Sequence, residues 1–559
     1  MEYKPNNPLI VQSDRTIMAE VKNDLYEEAR DAISRFSEII KSPEYIHTYR
    51  ITPLSLWNAA ASGMKSQDMI SALEKFGKYD LPDNIKKDIL DYVGRYGKVK
   101  LLKEGAELVL KAEDQLLITE IENNKKIQPY VKTRIDNNTI SINPDMRGHI
   151  KHALLKVGYP VEDLAGYIDG AFLDVNLRDI TTKGSAFGLR KYQQEAVDIF
   201  YAGGSSSGGS GVIVFPCGAG KTIVGMGTME KLKCQTLILT TNITAVRQWK
   251  NELLTKTYLT EDDVGEYTGE IKEIKPVTIS TYQILTHRKG KNVEFPHFKL
   301  FNSMEWGLII YDEVHLLPAP VFRVTAEIQA MRRLGLTATL VREDGLEEDV
   351  FSLIGPKKYD VPWKDLERQG WIAAASCTEI RVPMEGNQRV AYAMSSSKEQ
   401  FRIASENNNK YDAIEKILKM HADDNVLIIG QYINQLETLV EKVNAPIITG
   451  KTPNSERINL YEQFKSGKIK RLIVSKVANF AIDLPDANVA IQVSGTFGSR
   501  QEEAQRLGRI LRPKSDQGQA HFYSIVTKET KDEEYAANRQ LFLTEQGYKY
   551  RIINAEELN

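Results

Sequence analysis

Cysteine is scarce in this chain: Cys217, Cys234 and Cys377 are the three in 559 residues, and no two of them stand in C-x-x-C spacing. A disulfide framework is excluded, and a reducing compartment fits. A surplus of one charge is also missing. Lys and Arg number 73 against 75 Asp and Glu, a net charge of −2, so any nucleic-acid site has to be a local groove rather than a general polycation. No apolar stretch reaches the ~20 residues of a membrane helix, and no signal-like N-terminus is present, so secretion and membrane spanning are not expected. What remains is ordinary for a globular protein, 26% charged and 42% apolar. At ~150 residues per domain the length predicts about three to four domains.

The most informative segment is GVIVFPCGAGKT, Gly211 to Thr222. Val212–Phe215 reads as a buried parallel strand, since such strands are covered on both faces and carry no polar alternation. Gly218, Ala219 and Gly220 then let backbone N–H groups approach phosphate oxygens at the start of a helix. Lys221 supplies positive charge to the β/γ-phosphates and Thr222 a hydroxyl to Mg²⁺. Phe215 stands where the strict phosphate-loop pattern has glycine. A second apolar strand, Leu308–Tyr311, delivers Asp312 and Glu313 at its C-terminal end, where a doubly wound sheet places its chemistry. Asp312 is suited to hold Mg²⁺, and Glu313 to orient and deprotonate an attacking water. The pair of motifs predicts ATP hydrolysis.

Along the chain, residues 1–97 read as mainly helical after short strands at Leu9–Val11 and Thr16–Val21. Leu25–Ile40 is expected as one amphipathic helix, followed by segments capped by Thr52 and Ser66 and one opened by Asp83. A winged-helix-like unit and a helical interaction module are both compatible with this front end. Residues 98–185 read as a small α/β module, with strands at Val99–Leu102, Glu107–Lys111, Leu116–Glu122 and Thr139–Ile142 and a helix at Gly148–Val157. The GGSSSGGSG run at Gly203–Gly211 is an exposed loop by composition. Two tandem α/β lobes follow, 186–376 and 377–559, each with the strand–helix alternation of a parallel sheet. Asn387–Lys410 could be a short insert or a loop.

Further residues fall beside these strands. Arg190 and Gln193 lie just upstream of the phosphate loop, and the paired donor and acceptor of Gln193 could read an adenine edge. Thr337 and Thr339 end a strand and are placed to sense the γ-phosphate. EAQRLGRILR, Glu503–Arg512, sets Arg509 and Arg512 on one helix face as candidate arginine fingers, with Gln505 beside them.

Taken together, Phe187–Gln193, PCGAGKT, TTNITAVRQW, ISTYQ, DEVH, TAT and QRLGRILR match superfamily 2 helicases. GLTATLVRED, LIGPKKYDVPWKDL, GWIAAASCTEI and SKVANFAIDLPDANVAIQVSGTFGSRQEEAQRLGRILR resemble the XPB family of DNA-repair and transcription helicases, and PLIVQSDRTIMAEV and SPEYIHTYRITPLSLWNAAASG resemble its prokaryotic members. The resemblance implies two RecA-like lobes moving 3′→5′ along one DNA strand with ATP and Mg²⁺. It implies ATPase roles for Lys221, Thr222, Asp312, Glu313, Arg509 and Arg512. Asn242 and Thr281 become candidates for contact with the tracked strand, and Arg342, Glu343 and Asp344 for strand separation. Residues 98–180 would correspond to the family's damage-recognition domain. Ala478, Asn479, Phe480 and Ala481 depart from the polar Gly-Asp-Thr-Ser of eukaryotic members. The absence of long terminal extensions fits a stand-alone, cytoplasmic, nucleoid-associated repair helicase.

Two other functions compete. One is an ATP-switched DNA-binding platform whose first ~185 residues recognise a lesion or dock a nuclease or other repair partner. The other is an RNA helicase, which the LVRED and IDLP segments disfavour.

Overall fold

The computed structural model describes residues 3–558 except 44, 106, 217, 289–294, 330, 341–344, 362, 372, 476–486, 496–518, 546 and 549. Gln505, Arg509, Arg512 and the Arg342–Asp344 tripeptide therefore lie outside the described residues, as do Cys217 and Ala478–Ala481.

Two seven-stranded parallel sheets carry most of the molecule. In spatial order the first runs Val264–Tyr267, Val277–Thr281, Thr236–Thr240, Leu308–Asp312, Arg332–Thr337, Ser210–Val214 and Lys357–Asp360. The second runs Ile447–Ile448, Arg471–Ser475, Val426–Gly430, Val489–Gln492, Ala520–Thr527, Ala375–Val382 and Tyr550–Asn554. Their central strands are near-continuous Val, Ile and Leu, buried on both faces, because helices cover each side of a parallel sheet. The protein is a mixed α/β chain with two RecA-like lobes.

Ahead of them stand two smaller sheets. Leu9–Val11, Thr16–Glu20, Ile46–Arg50 and Glu38–Lys41 form a four-stranded antiparallel sheet, packed with helices Tyr26–Ile33, Pro53–Ala61, Ser66–Phe76 and Asp83–Arg95. The helix expected over Leu25–Ile40 ends at Ile33, and Glu38–Lys41 turns instead into an edge strand against Ile46–Arg50. That strand buries Ile39, which a continued helix would carry away from Tyr49. A five-stranded sheet follows, Val131–Arg134, Thr139–Ile142, Glu107–Ala112, Val99–Glu104 and Val161–Asp163. Leu116–Glu122, read as a strand, is helical, within Gln115–Asn123. Asp114 caps it by accepting from the Leu117 N–H at 2.8 Å, a local bond that starts a helix where a sheet would leave that donor to a neighbour. The 387–410 stretch is taken up by the helices Gly386–Ala393 and Ser397–Ser405 and the start of Asn409–Met420.

The five-stranded unit is held to the first parallel sheet by a buried ionic cluster. Asp163 accepts from Arg147 Nη2 at 2.8 Å and from Lys151 Nζ at 2.9 Å, and Lys151 also donates to Gln329 Oε1 at 2.6 Å. Burial alone would raise the Asp163 carboxyl, but Lys151 and Arg147 hold it well below the usual carboxylate range. Burial, against the pull of Asp163 and helped by Arg333 and Arg147, pushes the Lys151 ammonium down to about 8. Trp57, Leu155 and Phe351 form a second, apolar contact between the front units and the first lobe. Leu541, from the helix Lys531–Glu545 of the second lobe, is buried in the front unit's core. Among the described residues, no helix is long and apolar enough to cross a membrane.

Candidate nucleotide and strand site

Parallel strands release their loops at one edge. At the C-terminal edge of the first sheet the phosphate loop leaves Ser210–Val214, the acidic pair ends Leu308–Asp312, and Thr337–Thr339 end the strand between them. The loop turns through Gly218 and Gly220, at φ of +83° and +89°, a region that a side chain disfavours. A Cβ at Gly220 would also strike Gln193 Nε2. Lys221 opens the helix Lys221–Leu232, so backbone N–H groups of its first turn face the loop. Phe215 explains its own departure from the strict pattern. Its ring is fully buried, edge-on to Tyr192 at 5.3 Å and to Tyr359 at 5.9 Å, so it packs behind the loop.

Lys221 Nζ sits 3.2 Å from Glu313 Oε1, joining the two motifs. Glu313 adopts a left-handed backbone, φ +51° and ψ +53°, uncommon for a residue with a side chain and characteristic of strained functional positions. Burial would raise its carboxyl, but Lys221 and His315 hold it below the usual range, so it is ionised at neutral pH. Asp312 beside it is pushed up to about 6, first by burial and then by the charge of Glu313. The two carboxylates are thereby driven apart, as acid and base partners in catalytic pairs are. His315 Nδ1 lies 2.6 Å from Thr337 Oγ1, which itself donates to the Thr339 carbonyl at 2.6 Å. With its own proton committed, Thr337 accepts from His315. The strand-end threonines are thus linked through His315 to Glu313, 3.5 Å from its Nδ1.

Upstream, Gln193 is 3% exposed and both ends of its amide are engaged. Its Oε1 accepts from the Arg190 N–H at 2.9 Å, and its Nε2 donates to the Ala219 carbonyl at 2.9 Å. Tyr192 Oη donates to the same carbonyl at 2.8 Å. Gln193 therefore braces the phosphate loop, a task its donor–acceptor pair alone did not reveal. Arg190 stacks its guanidinium over Trp371, 4.3 Å from the ring centroid.

Of the residues read as contacting the tracked strand, Asn242 caps the helix Ile243–Lys256 by accepting from the Ala245 N–H at 2.9 Å. Thr281 is 3% exposed and its hydroxyl caps Tyr282–Thr286 by accepting from the Ile284 N–H at 3.3 Å. Thr240 Oγ1 donates to the Ser280 carbonyl at 3.2 Å and ties the two segments together. Sequence reasoning missed what lies behind them. Trp249 donates its indole N–H to Asp312 Oδ2 at 2.9 Å, and Tyr282 Oη donates to the Asp312 carbonyl at 2.9 Å. A Trp on the buried face of one helix and a Tyr opening the other, each needing a partner for its polar tip, were the available signal.

The donor set fits a hard cation. The Thr222 hydroxyl and the Asp312 carboxylate offer oxygen donors, and a magnesium ion bound there would keep its remaining positions for water and phosphate. A desolvated Asp312, raised to about 6, is a carboxylate that a bound cation would hold ionised.

Comparisons with known proteins bear on the whole chain. Residues 366–558 match the ERCC3/RAD25/XPB C-terminal helicase family, and 186–342 match the type III restriction enzyme, res subunit, family. Residues 9–136 match a family described as helicase conserved C-terminal domain, although they span the antiparallel front sheet and part of the five-stranded one rather than a parallel lobe. The DNA 3′-5′ helicase XPB of Mycobacterium tuberculosis is 54% identical, covering 99% of this chain and 99% of that protein. Its counterpart in Kineococcus radiotolerans is 52% identical, over 99% and 98%. The general transcription and DNA repair factor IIH helicase/translocase subunit XPB of Antonospora locustae is 33% identical, over 98% of this chain and 82% of its own. Among solved structures, the ATP-dependent type ISP restriction-modification enzyme LlaBIII bound to DNA is similar in fold, with a TM-score of 0.50 at 12% identity, covering 79% of this chain and 40% of that one. With bacterial relatives above half identity from end to end and the C-terminal family model matched, this chain belongs to the XPB family of helicases.

Proposed function

We propose that this protein is an ATP-dependent 3′→5′ DNA helicase and translocase that separates strands in DNA repair. The observation that carries the reading is the joining of phosphate-loop Lys221 to Glu313 at 3.2 Å, beside an Asp312 whose carboxylate accepts from the Trp249 indole. In the mechanism, Gly218, Ala219, Gly220 and the first turn after them cradle the phosphates of ATP through backbone N–H groups. Lys221 exchanges Glu313 for the β/γ-phosphate oxygens. Glu313, released and ionised, orients a water in line with the γ-phosphorus and takes its proton. Thr222 and Asp312 would hold a magnesium ion, which would supply positive charge to the phosphates. His315 and Thr337 sense the loss of the γ-phosphate from the Glu313 side.

Arg509 and Arg512 complete the site from the second lobe, with Gln505 beside them, and Arg190 with Gln193 frames the base end. Asn242 and Thr281 present one strand to the first lobe, and Arg342, Glu343 and Asp344 divide the duplex. Residues 1–97, 98–185, 186–376 and 377–559 act as four units, the second of them touching damaged DNA. A nuclease or other repair partner docks on the front units, and the protein works in the cytoplasm at the nucleoid.

Unwinding of 3′-tailed and 5′-tailed duplexes, with Lys221→Ala as the blank, tests this. Unwinding confined to the 3′-tailed substrate is expected. DNA-stimulated hydrolysis without unwinding of either would instead identify an ATP-switched binding platform.

A further inference from the structure

We propose that the cavity where the two front units meet the first lobe is an anion site. It takes a small phosphate-bearing molecule through Lys358 and Tyr96, and the occupant ties the three units together.

The cavity has a volume of about 260 Å³. Each unit supplies part of its wall: Ala60 and Tyr96 from residues 1–97, Lys151 and Tyr167 from the five-stranded unit, Ser210 and Lys358 from the first lobe. Ser210 opens the strand Ser210–Val214, whose other end releases the phosphate loop. The cavity therefore lies at the opposite edge of the sheet from Lys221 and is separate from the nucleotide site. The Gly/Ser-rich run that precedes this strand takes part, since the Ser207 carbonyl accepts from Lys358 Nζ at 3.0 Å.

The charges around the cavity do not balance. Asp163 is met by both Arg147 and Lys151, and Glu162 reaches Lys100 at 3.8 Å. Two cations are left over. Lys358 donates to a carbonyl, and the fully buried Arg333 gives its guanidinium to the Leu353, Gln329 and Met331 carbonyls. Arg333 also donates to Ser210 Oγ at 3.2 Å, and that hydroxyl spends its own proton on the Ile354 carbonyl at 2.6 Å. Neither Lys358 nor Arg333 has a carboxylate in contact among the described residues. Burial accordingly pushes both cations below their ordinary values. A buried charge without a counter-charge is costly, and an anion beside Lys358 would offset that cost.

A donor is also waiting. The Tyr96 hydroxyl has no hydrogen-bond partner among the described residues, although the ring lines the cavity. Burial first, and then the charge of Glu162, raises its phenol, so the proton stays on and can be donated. An ammonium and a protonated phenol suit the acceptor-only oxygens of a phosphate, and the charge excess disfavours a metal cation. The volume falls just under the ~300–1,000 Å³ of pockets for drug-sized ligands, which fits a molecule smaller than a nucleotide.

The test uses the full-length chain carrying Lys221→Ala, which weakens phosphate binding at the nucleotide site. Inorganic phosphate and glycerol 3-phosphate are titrated by calorimetry against sodium chloride of matched ionic strength. Saturable binding is expected, and the tighter of the two probes tells free phosphate from a phosphate ester. Adding Lys358→Met should weaken it roughly 10- to 100-fold, the range for a lost hydrogen bond to a charged group. Adding Tyr96→Phe, which keeps the ring and its packing, should weaken it by about 10-fold. Phosphate should also slow proteolytic release of the front units in the parent chain and not in either variant. No saturable binding of either probe, or an affinity unchanged by Tyr96→Phe and Lys358→Met, would overturn the site. Binding present in wild type and lost with Lys221→Ala alone would put the anion in the phosphate loop and overturn it too. Should Lys358→Met fail to fold, Tyr96→Phe decides alone.

Discussion

The indole N–H of Trp249 points at a carboxylate oxygen of Asp312, 2.9 Å away, and joins the segment read as strand-contacting to the residue read as metal-holding. Tyr282 reaches the backbone carbonyl of the same residue from the second such segment, also at 2.9 Å. Asn242 caps the helix that carries Trp249, and Thr281 caps the one that begins with Tyr282. A shift of either helix on binding a strand would be felt at one residue. That would be a short physical route for a bound strand to stimulate hydrolysis.

Trp249→Phe separates that route from mere packing. The phenyl ring keeps an aromatic body in the core but cannot donate, and it gives up the Cη2–Cζ3 end of the indole that faces Gly225, where an added Cβ would come within 2.6 Å. A hydrogen bond to a charged group is worth about 1.5–3 kcal/mol. Turnover should fall by about 10- to 100-fold if the bond acts fully in the transition state. The Mg²⁺ concentration for half-maximal rate should rise, a readout that the packing lost with the smaller ring would not move. A variant with wild-type Mg²⁺ dependence and DNA stimulation would reduce Trp249 to a space-filler.

Lys221→Ala and Glu313→Gln should both abolish hydrolysis, by different routes. Removing Lys221 takes away the charge that meets the phosphates, so ATP affinity falls with turnover. Glu313→Gln preserves the shape and removes the base, so ATP binding survives. Equilibrium binding beside steady-state turnover checks the split, and circular dichroism should show both folds intact.

Much of this site was legible because phosphate chemistry writes short local patterns. The Gly-rich turn, Lys221 and the acidic strand end all follow from needs met within a few residues of one strand. The strands Leu9–Val11 and Thr139–Ile142 were readable to the residue, since apolar runs between turn signals are local too. What stayed hidden depends on distant partners. Gln193 looked like a base reader and also holds Ala219, 26 residues on. Trp249 and Asp312 are 63 residues apart, and nothing in either segment announces the other. The edge strand Glu38–Lys41 was hidden for the same reason. Its helical pattern yields to pairing with Ile46–Arg50, whose value lies in the burial of Ile39 and Tyr49.

Arg512→Ala tests the second lobe's share. A guanidinium that neutralises charge on a transferring phosphoryl group is worth on the order of 10³-fold or more in turnover. ATP binding should survive in this variant while hydrolysis falls to that degree, with or without DNA. Normal turnover would remove the finger role from Arg512 and leave Arg509 to be tried alone.

The last prediction concerns Asp163, which makes the anchoring of the five-stranded unit depend on pH. Asp163→Asn leaves Arg147 and Lys151 buried without their counter-charge, and breaking such a pair costs about 3–5 kcal/mol. The pH sign follows from the direction of the shift. The carboxyl is held well below its ordinary value in the fold, so the folded state binds its proton less readily than the unfolded chain. Its contribution is complete above the unfolded value of about 3.9 and is lost as pH falls through the lower folded value. Wild type should therefore exceed Asp163→Asn in stability by a constant margin from pH 7 to about 5. The margin should narrow as pH drops below about 4. Chemical unfolding followed across that range reads the gap directly. Because the cluster reaches Gln329 of the first lobe through Lys151, limited proteolysis at neutral pH should also release the front units from the variant sooner. A margin that stays constant down to pH 3 would mean that the fold does not shift the Asp163 carboxyl, and one that widens would mean that the carboxyl is not ionised in the fold.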